Sequence, residues 1–258
     1  MKTFNYFFGF LVFATLFASC KHDPIELSTV LKDVDGNVYD TVRIGNQTWM
    51  SQDLKVLHLP NGLALQTFKI RQDEPAFTTY GGKTLYNSFA AQYGASTSSN
   101  HVQGICPDGW HLPSSAEWQE LMDYVSDHPE SWNVSGSVTH ALANKEWGYE
   151  THANDNQTGF SAEPTGYVHS YDSHTNIGDL RWVERENAYY WSADHNEYYP
   201  RPYNPPAPTP WVIPQWGLYG TDSLEVQSFV FKLDLNQEQP EITSLPDIHY
   251  CAVRCVKD

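Results

Sequence analysis

Cys106-Pro107-Asp108-Gly109-Trp110-His111-Leu112-Pro113-Ser114-Ser115-Ala116-Glu117-Trp118 runs from an irregular loop into a helix. Two prolines and a glycine punctuate the loop, and the helix opens at Ser114 or Ser115. Ser114 and Glu117 stand at the spacing of a capping box, in which each side chain satisfies the other's free backbone donor. Trp118, Leu121, Met122 and Val125 then recur at helical spacing, so one face of the helix is apolar and faces a core. His128-Pro129 is expected to stop it. A second short helix is expected from about Thr139 to Trp147, ending at Gly148.

On the N-terminal side, the run from Lys32 to Met50 reads as three short strands joined by tight turns. Asp35-Gly36 and Gly45-Asn46 are hairpin turn signals between alternating apolar positions. The spacing of Asp33, Asp35 and Asn37 is not that of a calcium loop. Glycine falls at the fourth position instead of the sixth, and Ile44 stands where the bidentate acid belongs. On the C-terminal side, strands are expected over Phe160 to Tyr167, Ala188 to Ala193, Ser228 to Leu233 and Ile248 to Val256. Residues 198–217, YYPRPYNPPAPTPWVIPQWG, break this pattern with seven prolines in twenty residues. Proline removes ladder donors and favours extended polyproline geometry, so the segment is a long excursion between two strands.

The chain carries 15 basic and 31 acidic side chains, for a formal charge of −16. That sign argues against nucleic acid and anionic lipid surfaces as partners. Aromatic residues reach 14% of the chain, so its core is built from rings, with others left on loops. The first residues, MKTFNYFFGFLVFATLFASC, combine Lys2, an apolar run from Phe7 to Phe17 and small residues just before Cys20. This resembles a bacterial lipoprotein signal, with residues 1–19 removed and Cys20 acylated. The apolar run is shorter than the ~20 residues of a spanning helix. Residues 20–31 are then a tether, and 32–258 one large domain with the insertion at about 198–217. The expected location is the outer membrane, lipid-anchored and exposed at the cell surface.

With Cys20 assigned to lipid, Cys106, Cys251 and Cys255 remain in an oxidising compartment, where one pair should form. On a strand Cys251 and Cys255 would lie about 13 Å apart, too far to bond each other. Cys106 therefore closes onto one of the two.

The segments Asp33-x-Asp35-Gly36-Asn37-x-Tyr39-x-Thr41-Val42-x-Ile44-Gly45-x-Gln47-x-Trp49-Met50, Cys106-Pro107-x-Gly109-Trp110-His111-Leu112-Pro113-x-x-x-Glu117-Trp118, Gly159-Phe160-Ser161-Ala162, Tyr190-Trp191-Ser192-Ala193 and Val253-Arg254-Cys255-Val256-Lys257-Asp258 resemble, in order, the Fibrobacter succinogenes major paralogous domain. That family is common in surface lipoproteins of Bacteroidota and Fibrobacterota. Leu112-Pro113-Ser114-Ser115-Ala116-Glu117-Trp118 is also similar to the LPTEAEW-like segment of formylglycine-generating enzymes and other C-type lectin-like proteins. The resemblance implies an α+β, C-type lectin-like fold: a small twisted antiparallel sheet, one or two short helices and long loops. It also implies a disulfide from the loop before the helix to the last strand, Cys106 to Cys255.

Trp49, Trp110, Trp118, Tyr190 and Trp191 lie in the family's framework segments and are expected in the core. Trp182, Tyr203, Trp211 and Trp216 lie outside them and are the candidate ligand-binding residues, as rings on which sugar faces stack or as a protein-docking surface. The opposing reading has those rings fold the long loop onto the body. His169, His174, His195 and His249 could converge with Asp172, Asp179 and Asp194, but no pair shows an HExxH-like spacing, so neither metal nor cofactor is expected. Glu163-Pro164-Thr165 lacks the asparagine of the calcium and sugar motif of C-type lectins. Cys251 and Cys255 only superficially echo the copper pair of formylglycine-generating enzymes, and no nucleophile elbow, phosphate loop or dinucleotide fingerprint occurs. The expected function is non-catalytic binding of a glycan or surface protein, with membrane contact through the lipid alone. The rival readings are a structural accessory subunit of a surface assembly and, behind it, a glycoside hydrolase or copper-type oxidase.

Overall fold

The computed structural model describes residues 30–65, 75–94, 101–132, 137–145, 147, 156–170, 180–184, 186–195, 227–246 and 249–258. The expected leader, Cys20 and nearly all of the expected tether lie outside them. Fourteen short strands and four short helices make up the described part, and every pairing between strands is antiparallel. The class is α+β. In place of one small sheet the strands form four, and two helices arise beyond those expected from the sequence.

Strands β1 (Leu31–Lys32) and β2 (Val38–Tyr39) pair across the Asp35-Gly36 turn. Asp33 holds that turn, because its carboxylate accepts from the amides of Asp35 and Asn37 at 3.0 and 2.9 Å, from Asn37 Nδ2 at 2.8 Å and from the Tyr39 hydroxyl at 2.6 Å. The acid at the head of the apparent calcium loop is thus consumed by the turn itself. Strands β3 (Thr41–Ile44) and β4 (Gln47–Met50) follow, joined by Gly45 at φ +62°. A Cβ there would sit 2.7 Å from the Tyr124 ring, so glycine is required by close approach as well as by the turn.

Strands β5 (Phe77–Tyr80) and β6 (Lys83–Asn87) form a hairpin that leads into α1 (Ser88–Ala91), whose N-cap is Asn87. After β7 (Trp110–His111), helix α2 covers Ser115–Asp127 with the complete Ser114/Glu117 capping box, and it buries Trp118, Leu121, Met122 and Val125. Pro129 does end α2, but it also opens a further turn, α3 (Pro129–Trp132), because its fixed φ suits the first helical position. Helix α4 is only Val138–Leu142, shorter than the expected second helix.

Residues 160–167 do not form the expected strand. Ser161 has φ +58° and Gly166 +57°, and Pro164 lacks a donor, so the segment makes only single bridges at Ala162 and Gly166. The strand proper is β8 (Tyr167–Ser170), paired with β9 (Leu180–Val183). The long strands β10 (Asn187–His195) and β11 (Gln227–Asp234) pair with each other, and β12 (Glu241–Pro246) completes their sheet.

The expected terminal strand splits in two. Its first part, β13 (Tyr250–Cys251), lies between β6 and β8 in a five-stranded sheet of order β5-β6-β13-β8-β9. Its second part, β14 (Val256–Lys257), lies between β4 and β7 in a four-stranded sheet of order β3-β4-β14-β7. Between them the backbone stays satisfied: Ala252 exchanges bonds with Tyr189 and Trp191 at 3.0 and 3.1 Å, Val253 accepts from Leu54 at 2.8 Å, and Cys255 accepts from Met50 at 3.1 Å. The last nine residues are therefore the central strands of two sheets and join both to β10.

The core is aromatic. Trp118 stacks on Trp49 at 4.6 Å and on Phe231 at 4.4 Å, and Phe160 meets Trp49 and Trp118 edge-on. Such pairs add about 0.5–1.5 kcal/mol each beyond the area they bury. Trp110, Tyr190 and Trp191 are also buried, as their framework positions imply.

Candidate functional site

Arg254 organises the framework from inside. It is wholly buried, its Nε donates to Asp53 Oδ1 at 3.1 Å, and its Nη2 donates to the same oxygen and to the Ser161 carbonyl. Nη1 donates to the Phe160 carbonyl, and the guanidinium lies 4.5 and 5.1 Å from the Phe160 and Tyr190 ring centroids. Three of the five framework segments thus meet on one cation. Two acids just after framework segments are likewise engaged: Asp194 accepts from the Ser115 amide and from Ser192 Oγ, and Glu163 pairs with Lys83.

Around this framework the sequence candidates fall in different places. Trp182 belongs to β9, the outer strand of the five-stranded sheet, where its backbone pairs with Val168. Tyr203, Trp211 and Trp216 lie outside the described residues, as do Asp172, His174 and Asp179. The ends of the chain that carries the first three are defined, however. His195, the last residue of β10, is the direct partner of Ser228 on β11. The two strand ends that flank residues 196–226 are therefore paired side by side.

His169 and His249 do converge. His169 Nδ1 lies 2.8 Å from His249 Nε2, and His249 Nδ1 lies 3.0 Å from the Pro246 carbonyl. That carbonyl requires a proton on Nδ1 of His249, which leaves Nε2 as the acceptor of His169 Nδ1–H. Burial and the neighbouring His169 push His249 down to about 4.

A second histidine centre lies beside the disulfide that joins Cys106 to Cys255. His111 is buried on β7, with Nε2 2.7 Å from Glu117 Oε1 and Nδ1 2.8 Å from Asp258 Oδ1. Glu117 Oε2 accepts from Ser114 N and Oγ, so the helix cap holds this acid in place. Burial acts against charge on both partners, but their hydrogen bonds and mutual attraction outweigh it, raising His111 and lowering Glu117. His101 Nε2 lies 3.3 Å from Asp258 Oδ1, and the His101 and His111 ring centroids are 4.1 Å apart. Sequence spacing did not single out this group, because its members come from three separate stretches. The one available signal was that His111 and Asp258 both lie in framework segments.

Of the remaining cysteines, Cys251 is a buried free thiol that burial alone pushes up. With Cys255 in the disulfide, the two do not form a thiolate pair.

The model of the family called Fibrobacter succinogenes major domain matches residues 42–257. The chain belongs to this family. No curated protein and no solved structure matches it. In this Fibrobacter succinogenes major domain, the matched stretch spans β3 to β14 and so includes Arg254, the disulfide and most of the His111 centre, while Asp258 follows it directly.

Proposed function

We propose that the chain is a cell-surface lipoprotein, anchored to the outer membrane through Cys20, whose lectin-like framework presents a non-catalytic site for a glycan or a protein ligand. The observation that carries this reading is the direct pairing of His195 with Ser228. A sheet that closes without residues 196–226 can carry that stretch as a graft, which is how binding segments are mounted on rigid scaffolds. The stretch includes Tyr203, Trp211 and Trp216, and β9 with Trp182 belongs to the neighbouring sheet edge. The framework acids Asp53, Glu117 and Asp194 are each engaged by other framework groups, which favours binding over acid–base chemistry there.

A glycan array probed with the full chain, alongside pull-downs from solubilised outer membranes, tests the proposal. Discrete sugar hits, or one stoichiometric partner, that disappear when Tyr203, Trp211 and Trp216 are replaced by alanine support it. Silence on the array together with a partner that ignores those substitutions would instead favour an accessory subunit docking through another face.

A further inference from the structure

We propose that His101, His111 and Asp258 form a binding site for a divalent transition-metal ion of the zinc type. Their donor atoms, one from each residue, lie within 4.8 Å of one another. In a tetrahedral zinc site, with bonds near 2.0–2.1 Å, neighbouring donors stand about 3.3–3.4 Å apart. His101 Nε2 and Asp258 Oδ1 are already at 3.3 Å, and the 2.8 Å between His111 Nδ1 and the same oxygen needs to open by only about half an ångström.

The donors stand on backbone that is fixed before any ion arrives. His101 precedes the Val102 to Leu112 bridge, and His111 pairs with Val256 across β7 and β14. Asp258 N donates to the Gly109 carbonyl at 3.1 Å, and the Cys106–Cys255 disulfide closes the same corner. Glu117 supplies the outer contact that metal-bound histidines ordinarily have. With Glu117 accepting from His111 Nε2–H, the Nδ1 lone pair of the metal-bound ring would point toward Asp258 and His101. Without a metal ion a proton on Nδ1 meets Asp258 Oδ1 at 2.8 Å, and a bound ion would take the place of that proton.

Two imidazole nitrogens and one carboxylate oxygen select zinc or a neighbouring first-row ion over calcium or magnesium, which prefer all-oxygen cages. The His101 and Asp258 side chains are 55% and 45% exposed while His111 is buried, so a bound ion sits at the surface with a fourth position open to water or an outside donor. This inference does not depend on the ligand reading above.

The test is calorimetric titration of zinc chloride into the EDTA-stripped full chain. One ion per chain is expected at micromolar affinity or tighter, weakened at least tenfold by His101→Ala and likewise by Asp258→Asn. Both residues are half-exposed, so thermal midpoints in EDTA should fall by no more than a few degrees, which separates lost ligation from lost fold. Absence of saturable uptake, or an affinity that either substitution leaves unchanged, overturns the site.

Discussion

Arg254 illustrates how a single residue can be indispensable without touching a ligand. Its charge is buried, balanced by Asp53 and spread over two carbonyls and two ring faces. Removing one member of such a pair strands the other, at about 3–5 kcal/mol. Arg254→Met should therefore lower the unfolding free energy by about that much in urea titration, and adding Asp53→Leu should recover part of it, because the stranded acid is then gone. His249 makes a different prediction. It titrates near 4 when folded but near the ordinary 6.5 when unfolded, so the unfolded chain takes up this proton first. The stability tied to it is complete above about pH 6.5 and is lost as pH falls toward 4, by at most about 3 kcal/mol. Thermal melts of the parent and of His249→Gln between pH 4 and 7.5 should show the gap between them changing across that window. A constant gap would mean that His249 titrates normally in the folded chain.

At the scale of elements, the disulfide ties the loop before α2 to the start of β14 across 149 residues of sequence. In the chain-entropy account a closure of that length contributes roughly 4–5 kcal/mol, and losses of about 2–5 are typical. Replacing Cys106 and Cys255 together by alanine should cost stability in that range. Peptide mapping of the native chain should find Cys251 alkylated only after unfolding, since it has no exposed surface. Among the elements themselves, those written in local chemistry were legible. Helix α2 followed from its capping box and its apolar period, the β1–β2 turn from Asp35-Gly36, and β10 and β11 from their aromatic and β-branched runs. What was not legible depends on partners distant in sequence. Strands β13 and β14 are two residues each, too short to carry a period, and exist because β4, β6, β7 and β8 flank them. The 160–167 stretch has strand-like residues, yet positive φ at Ser161 and Gly166 turns it away. The His111 centre was hidden for the same reason, since its acid and its second histidine arrive from other elements.

At the scale of the whole molecule the proposed reading has three parts, an address, a framework and a graft. The address is tested by Cys20→Ala, which should move the protein from the membrane fraction to the soluble one or leave its leader uncleaved, with loss of fatty-acid labelling. Among the described residues no helix is long and apolar enough to cross a membrane, so none of these offers a helical anchor in its place. The graft makes the sharper prediction. Loops of this length inside a compact domain are usually functional or disordered. Here the ends converge on paired residues, His195 and Ser228, and the groups that hold the framework, Arg254, Trp118 and the disulfide, all lie outside the segment. Replacing residues 198–217 with a short glycine-containing turn should then shift the thermal midpoint by no more than a few degrees while abolishing ligand or partner binding. A large proline content restricts the free chain and so lowers the entropy lost on binding, which is why the deletion should cost affinity instead of stability. If the shortened chain unfolds, those aromatics belong to the core; if it folds and still binds, the recognition surface is the framework itself.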